Sequence, residues 1–361
     1  MRIPVTRARL AVALIGPAVA VGLSFGAGQA QASTGAPASG VTWHKLFAIN
    51  GWATASQVEY GAPSWAVKGG VVYLSGAVSR AGGSSRLFAV LPPQARPAHK
   101  MWITVYTVND STGTVAIDTN GKMSAYSTPA GDSAGFTSLA GVSFPARSMA
   151  QHKVSLLNGW HSEQSAWSSG DPSYVVSGGV VYLSGSLATS GSSDHFATLP
   201  RAARPKSVEY ITVYTYDDTF GTVQIDPNGT ASAYSGSADS FTSLAGVSYP
   251  VASAASHKIP LQSGWHSEQG VWGSGDPAYA VSGGVVHLSG SLATSGSNDF
   301  CGTLPAGARP RHYLYLKVYT YGSTVGTLQI DPDGAMFAYG PVFSKAAKFT
   351  SLAAISYPAS S

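Results

Sequence analysis

Gly69-Gly70-Val71-Val72-Tyr73-Leu74-Ser75-Gly76 returns as Gly178-Gly179-Val180-Val181-Tyr182-Leu183-Ser184-Gly185, and again as Gly283-Gly284-Val285-Val286-His287-Leu288-Ser289-Gly290. The stretch is β-branched and aromatic, bounded by glycine, and too short for a helix, so it reads as a strand. Its threefold return shows that the chain is one module written three times.

Further markers flank it in fixed order. His44-Lys45, His152-Lys153 and His257-Lys258 precede Gly-Trp pairs ending at Trp52, Trp160 and Trp265. Leu-Pro follows the repeat, then Ala-Arg-Pro ending at Pro97, Pro205 and Pro310, then Val-Tyr-Thr at 105–107, 213–215 and 318–320. Gly-Thr-x-x-Ile-Asp ends at Asp118, Asp226 and Asp331, and each copy closes on Phe-Thr-Ser-Leu-Ala and Pro145, Pro250 or Pro358. The period of about 105 residues suits a whole domain rather than a solenoid repeat.

The modules are placed at 42–145, 152–250 and 257–361. Asn120-Gly121, Asn228-Gly229 and Asp333-Gly334 lie between strand-like runs, where a type I′ hairpin turn is expected. No helical periodicity of useful length occurs after the leader. The expected fold is all-β: three tandem jelly-roll-like β-sandwich modules of seven or eight strands each. Joins of six residues, 146–151 and 251–256, reach only about 20 Å. The copies must therefore sit close together, either closed into an intramolecular pseudo-trimer or in a row.

The N-terminus reads as a targeting segment. Arg2, Arg7 and Arg9 precede an apolar run over 10–27, and Ala30-Gln31-Ala32 supplies small residues for cleavage after Ala32. Residues 1–32 are thus expected to be a secretory signal peptide, 33–41 a flexible lead-in, and the mature protein extracellular, with no transmembrane segment. The chain carries a net charge of +4, and without the three leader arginines eighteen basic residues face seventeen acidic ones. No basic patch remains for nucleic acid. Only 11% of residues are charged, against about 25% in ordinary soluble domains, so the surface is polar but uncharged. The single cysteine, Cys301, excludes an internal disulfide and stands where the other copies have Ala89 and Ala197, as a small buried residue.

Taken together, Gly-Trp, Gly-Gly-Val-Val-x-Leu-Ser-Gly, Leu-Pro, Ala-Arg-Pro, the Asn-Gly strand pair and the closing Thr-Ser-Leu-Ala-Gly-Val-Ser-Phe of 137–144 resemble the C-terminal head modules of phage tail and receptor-binding proteins, and similar modules of secreted bacterial proteins. The resemblance covers each copy nearly end to end and rests on structural residues. It implies β-sandwich heads that trimerise and bind cell-surface saccharides. The leader departs from the phage pattern, since tail proteins assemble in the cytoplasm.

Two sets of residues carry candidate chemistry. The first is an aromatic strand face: Trp102 and Tyr106 in copy one; Tyr210, Tyr214 and Tyr216 in copy two; Tyr315, Tyr319 and Tyr321 in copy three. Aliphatic residues alternate with these rings and form the core face, so the rings lie outward or against a neighbouring module. Tyrosine suits both sugar rings and interfaces. The second is polar: His161, Glu163 and Asp171, matched by His266, Glu268 and Asp276, but absent from copy one. The carboxylates offer an acid and a base for glycoside cleavage if their separation permits. His-x-Glu alone is a weak metal signal; no metal or cofactor is expected. The leading expectation is a non-catalytic protein recognising cell-surface or extracellular glycans, or another secreted protein. The alternatives are a polysaccharide-active enzyme using Glu163, Asp171, Glu268 and Asp276, and a structural component of an extracellular particle.

Overall fold

The computed structural model describes residues 41–360 apart from 56, 57 and 129. The expected leader and all but the last residue of the lead-in lie outside the described residues. No helix among the described residues is long and apolar enough to cross a membrane.

The described residues are all-β, with four short α-helices among them, and their sheets follow the repeat. Each copy has one four-stranded antiparallel sheet, in copy two ordered His152–Lys153, Ser173–Ser177, Val180–Ser184, Ser248–Pro250. Facing it is a seven-stranded sheet built around Glu209–Thr215. In copy one this second sheet is recorded as three- and four-stranded pieces joined by the Thr107–Thr137 bridge. Each copy contributes eleven strands rather than seven or eight, because several edge strands are only two or three residues long and leave no periodicity to read.

The repeat markers are fastenings. The Trp52, Trp160 and Trp265 indoles donate to Ser85, Ser193 and Asn298 carbonyls at 2.8, 2.7 and 2.9 Å. Arg96, Arg204 and Arg309 of Ala-Arg-Pro donate through Nε to the carbonyls of Leu91, Leu199 and Leu304, so Leu-Pro and Ala-Arg-Pro are two halves of one contact. Cys301 is buried, its thiol pushed up to about 12 by burial.

The opening stretch is buried on both faces. Val72 and Leu74, with their counterparts, enter each module's own core. Val71, Tyr73, Val180, Tyr182 and Val285 gather instead into one cluster shared by all three copies, where the Tyr73 and Tyr182 hydroxyls meet at 2.7 Å.

The copies close on one another. Ala245 of copy two packs into the core of copy one, Ala353 of copy three into that of copy two, and Ala140 of copy one against that of copy three. Three matching backbone bonds cross the boundaries: Lys100 N–H to Ser168 O, Val208 N–H to Gly273 O, and Tyr313 N–H to Glu59 O, at 3.0, 2.9 and 3.0 Å. The three modules thus form a ring, with the innermost strands Met101–Tyr106, Glu209–Thr215 and Leu314–Thr320 mutually in contact.

Candidate functional site

The inner strands alternate. Ile103, Val105, Ile211, Val213, Leu316 and Val318 face their own cores, and the aromatic side faces the next module. Trp102 stacks on Tyr214 at 5.4 Å and 15°, Tyr210 on Tyr319 at 5.3 Å and 28°, and Tyr315 lies on Tyr106 at 4.9 Å and 35°. These six rings therefore do not form an open sugar-stacking strip. They pair across boundaries because a ring on an inner strand buries its apolar face most completely against another ring, a pairing worth about 0.5–1.5 kcal/mol beyond area alone. The second ring of each pair is a tyrosine whose hydroxyl accepts a turn N–H: Asp110 to Tyr106 at 3.1 Å, Asp218 to Tyr214 and Ser323 to Tyr319 at 3.4 Å.

More aromatics ring each pair, and here the boundaries differ. Between copies one and two, Trp167 closes the edge against Tyr216 and Phe241. Between copies two and three, Trp272 does the same with Tyr321 and Phe349. Each leaves a space of about 10 Å³, at the lower limit for one water. Both tryptophans come from the single helical turns Gln164–Trp167 and Gln269–Trp272, where copy one has a different sequence and the 3-10 turn Val58–Tyr60. Between copies three and one the closing ring is the smaller Tyr60, and Val108 stands in place of Tyr216 and Tyr321. The result is an open cleft of about 220 Å³, walled by Tyr60, Tyr106, Phe136 and Tyr315, with Ser79 and Asn109 also lining it.

At this boundary lies a buried cation. Lys317 stands where copies one and two have Thr104 and Thr212. Its ammonium donates to Asp110 Oδ1 at 2.8 Å and to Asp110 O at 2.6 Å, 5.1 Å from the Tyr106 ring centre. Thr327 donates to the same carboxylate. Desolvation lowers the Lys317 pKa, with Asp110 opposing that shift.

No protein-family model and no curated protein sequence matches the chain. Among solved structures, the BP39L lectin from Burkholderia pseudomallei aligns over 84% of each chain at 12% identity, with a TM-score of 0.14. A similarity that low carries no argument about fold or function.

The polar set does not join the open aromatic cleft. His161 Nε2 meets Glu163 at 3.3 Å, and His266 meets Glu268 at 3.2 Å. Asp171 pairs with Lys153 at 2.8 Å and Asp276 with Lys258 at 2.5 Å, so each aspartate anchors the lysine of its own His-Lys marker. Hydrogen bonds from those lysines, and from Ser162 and Ser267, hold both carboxyls below the usual range. A glycosidase acid requires the opposite shift. Copy one has Ala62 here, and Lys45 rests over the Phe47 ring instead.

Sequence reasoning missed Tyr60, Phe136, Trp167, Trp272 and Glu209. Phe136 was visible in the Phe-Thr-Ser-Leu-Ala marker. Glu209 was visible as a break in alternation, an acid where copies one and three have Met101 and Leu314.

Proposed function

We propose that this chain is a secreted, non-catalytic glycan-binding protein that seats a sugar ring in the aromatic cleft between the third and first modules. The supporting observation is the cleft itself: four rings around about 220 Å³ of open space, with an amide and a hydroxyl among its lining groups. Aromatic faces take the apolar side of a pyranose, and polar groups nearby take its hydroxyls. Burial raises the pKa of the Tyr106 and Tyr315 hydroxyls, so they stay protonated at neutral pH. Export rests on the leader read in residues 1–32, and kinship with phage tail head modules rests on the shared markers; both belong to the proposal. The lysine-paired, ionised carboxyls of Asp171 and Asp276 leave neither as the proton donor of the hydrolase alternative, in which they keep only the role of base or nucleophile.

The test is a glycan and cell-wall array probed with the folded chain, followed by titration of the best ligand into Tyr60→Ala. Affinity is expected to fall about tenfold or more with an unchanged circular dichroism spectrum, because one wall of the cleft is removed. Silence across the whole array, or full affinity in the variant, sinks the reading.

A further inference from the structure

A second cleft of about 230 Å³ lies between copies two and three, and it has no aromatic wall. The other two copies explain why it exists. At the other boundaries a histidine packs against the glycine of the neighbouring module: His99 against Gly170, and His312 against Gly61. The second boundary has Ser207 against Gly275, and the smaller side chain leaves space. In copy two, Gln151 fills the corresponding region, accepting hydrogen bonds from Ser173 and Ser184. Copy three has Ser256, Ala278 and Ser289 at those positions, and all three line the cleft.

Into this space one residue brings an acid that its sister copies lack. Glu209 is only 4% exposed, on a strand face where copies one and three carry Met101 and Leu314. Its carboxyl has no hydrogen-bond or ion-pair partner among the described residues, yet it lines the cleft. An unpaired buried acid is costly, and the two related copies show that the fold does not require one here.

We propose that this cleft is a binding site for an acidic sugar, a hexuronate-type ring carrying one carboxylate, held by Glu209, Ser207, Ser289, Gln269 and Lys206. The site is separate from the aromatic cleft and shares no residue with it. Its charge balance selects the ligand. Asp276 pairs with Lys258 at 2.5 Å and also lies in the field of Lys206, so two lysines face one ionised carboxylate and the lining keeps one net positive charge. Burial pushes the Glu209 carboxyl up to about 8, so at neutral pH it is uncharged and donates through O–H. Tyr249, packed nearby, stays protonated, its hydroxyl donating to Ala203 O at 2.8 Å. The lining is therefore rich in donors and net positive. A carboxylate is accepted by it, an ammonium is repelled, and serine hydroxyls and the Gln269 amide serve the ring hydroxyls.

The experiment titrates sodium glucuronate into the full folded chain by calorimetry, at pH 6.5 and pH 9, with glucose and glucosamine as comparators. Saturable glucuronate binding is expected at pH 6.5, at least tenfold weaker at pH 9, where ionised Glu209 repels the ligand. Ser207→His, which copies the plug of the other boundaries, should abolish it. Glu209→Gln should keep binding at pH 6.5 and lose the pH dependence, since the amide still donates and no longer titrates. Glu209→Met, the copy-one residue, should lose binding while keeping the fold. Absence of saturation with glucuronate, equal or tighter binding of glucose or glucosamine, or an unaltered Ser207→His titration would overturn the proposal.

Discussion

Glu209 and His287 are both buried ionisable groups at places where a sister copy carries something apolar or uncharged, and they respond to pH in opposite directions. Glu209 titrates near 8 in the fold against 4.5 in the open chain. Its contribution is favourable below pH 4.5 and is lost as pH rises towards 8. Glu209→Leu should therefore raise stability at pH 7 by up to about 3 kcal/mol and change little at pH 4, read from urea midpoints. His287 is lowered to about 4 by burial, so the native state holds it neutral. Its contribution is complete above pH 6.5 and falls as pH drops to 4. His287→Tyr, the residue of the other two copies, should flatten that acid limb in the same urea series. Lys317 gives a third test. Asp110→Ala strands a buried ammonium and should cost about 3–5 kcal/mol, whereas Lys317→Thr, the residue of the sister copies, should cost much less. Glu209, His287 and Lys317 were legible only by reading the copies against each other, because each breaks a pattern its sisters keep. Their partners were not legible: Asp110 lies 207 residues from Lys317.

At the scale of elements, the opening stretch was read correctly as a strand, but the turn chemistry was exchanged. The I′ signature sits in the glycine pair before that strand: Gly69 and Gly70 both have positive φ, 57° and 78°, and join two paired strands directly. The Asn-Gly site instead forms a turn closed by Gly121 N–H to Asp118 O at 2.8 Å, in which Gly121 alone is left-handed. Asn120 is spent on accepting the Lys122 N–H at 3.0 Å. The dipeptide rule assumes a two-residue loop, whereas here four residues, Asp118 to Gly121, separate the paired strands and the left-handed position falls on the glycine alone. The helical turns Gln164–Trp167 and Gln269–Trp272 are elements too short to announce themselves, and they decide which boundaries are filled. Trp167→Ala should open the first boundary. If rings around an open space are what binds sugar, the variant gains a second equivalent of ligand, counted by calorimetric stoichiometry.

At the scale of the whole molecule, three sandwich cores exchange an alanine each with a neighbour, so no core is complete alone. One unfolding transition is expected by differential scanning calorimetry rather than three, and small-angle scattering should give a compact profile rather than a row of beads. Either three resolved transitions or an elongated profile contradicts the ring. The sequence limited the gap between copies through its six-residue joins. It could not choose between ring and row, because the decision lies in contacts between the third and first copies, such as Lys317 with Asp110, 207 positions apart.

The joins have one more consequence. Where identical subunits assemble, a single codon change is imposed on every interface at once, and a burden such as Glu209 would be carried three times, roughly 9 kcal/mol by the same reckoning. That would consume most of an ordinary domain's stability of about 5–15 kcal/mol. Threading the three sectors on one polypeptide lets each boundary drift by itself. The first is closed by a tryptophan and a histidine, the second has a tryptophan but a serine where the others have the histidine, and the third is open among its aromatic rings. Duplication within one gene thus allows a symmetrical ring to vary its three seams separately.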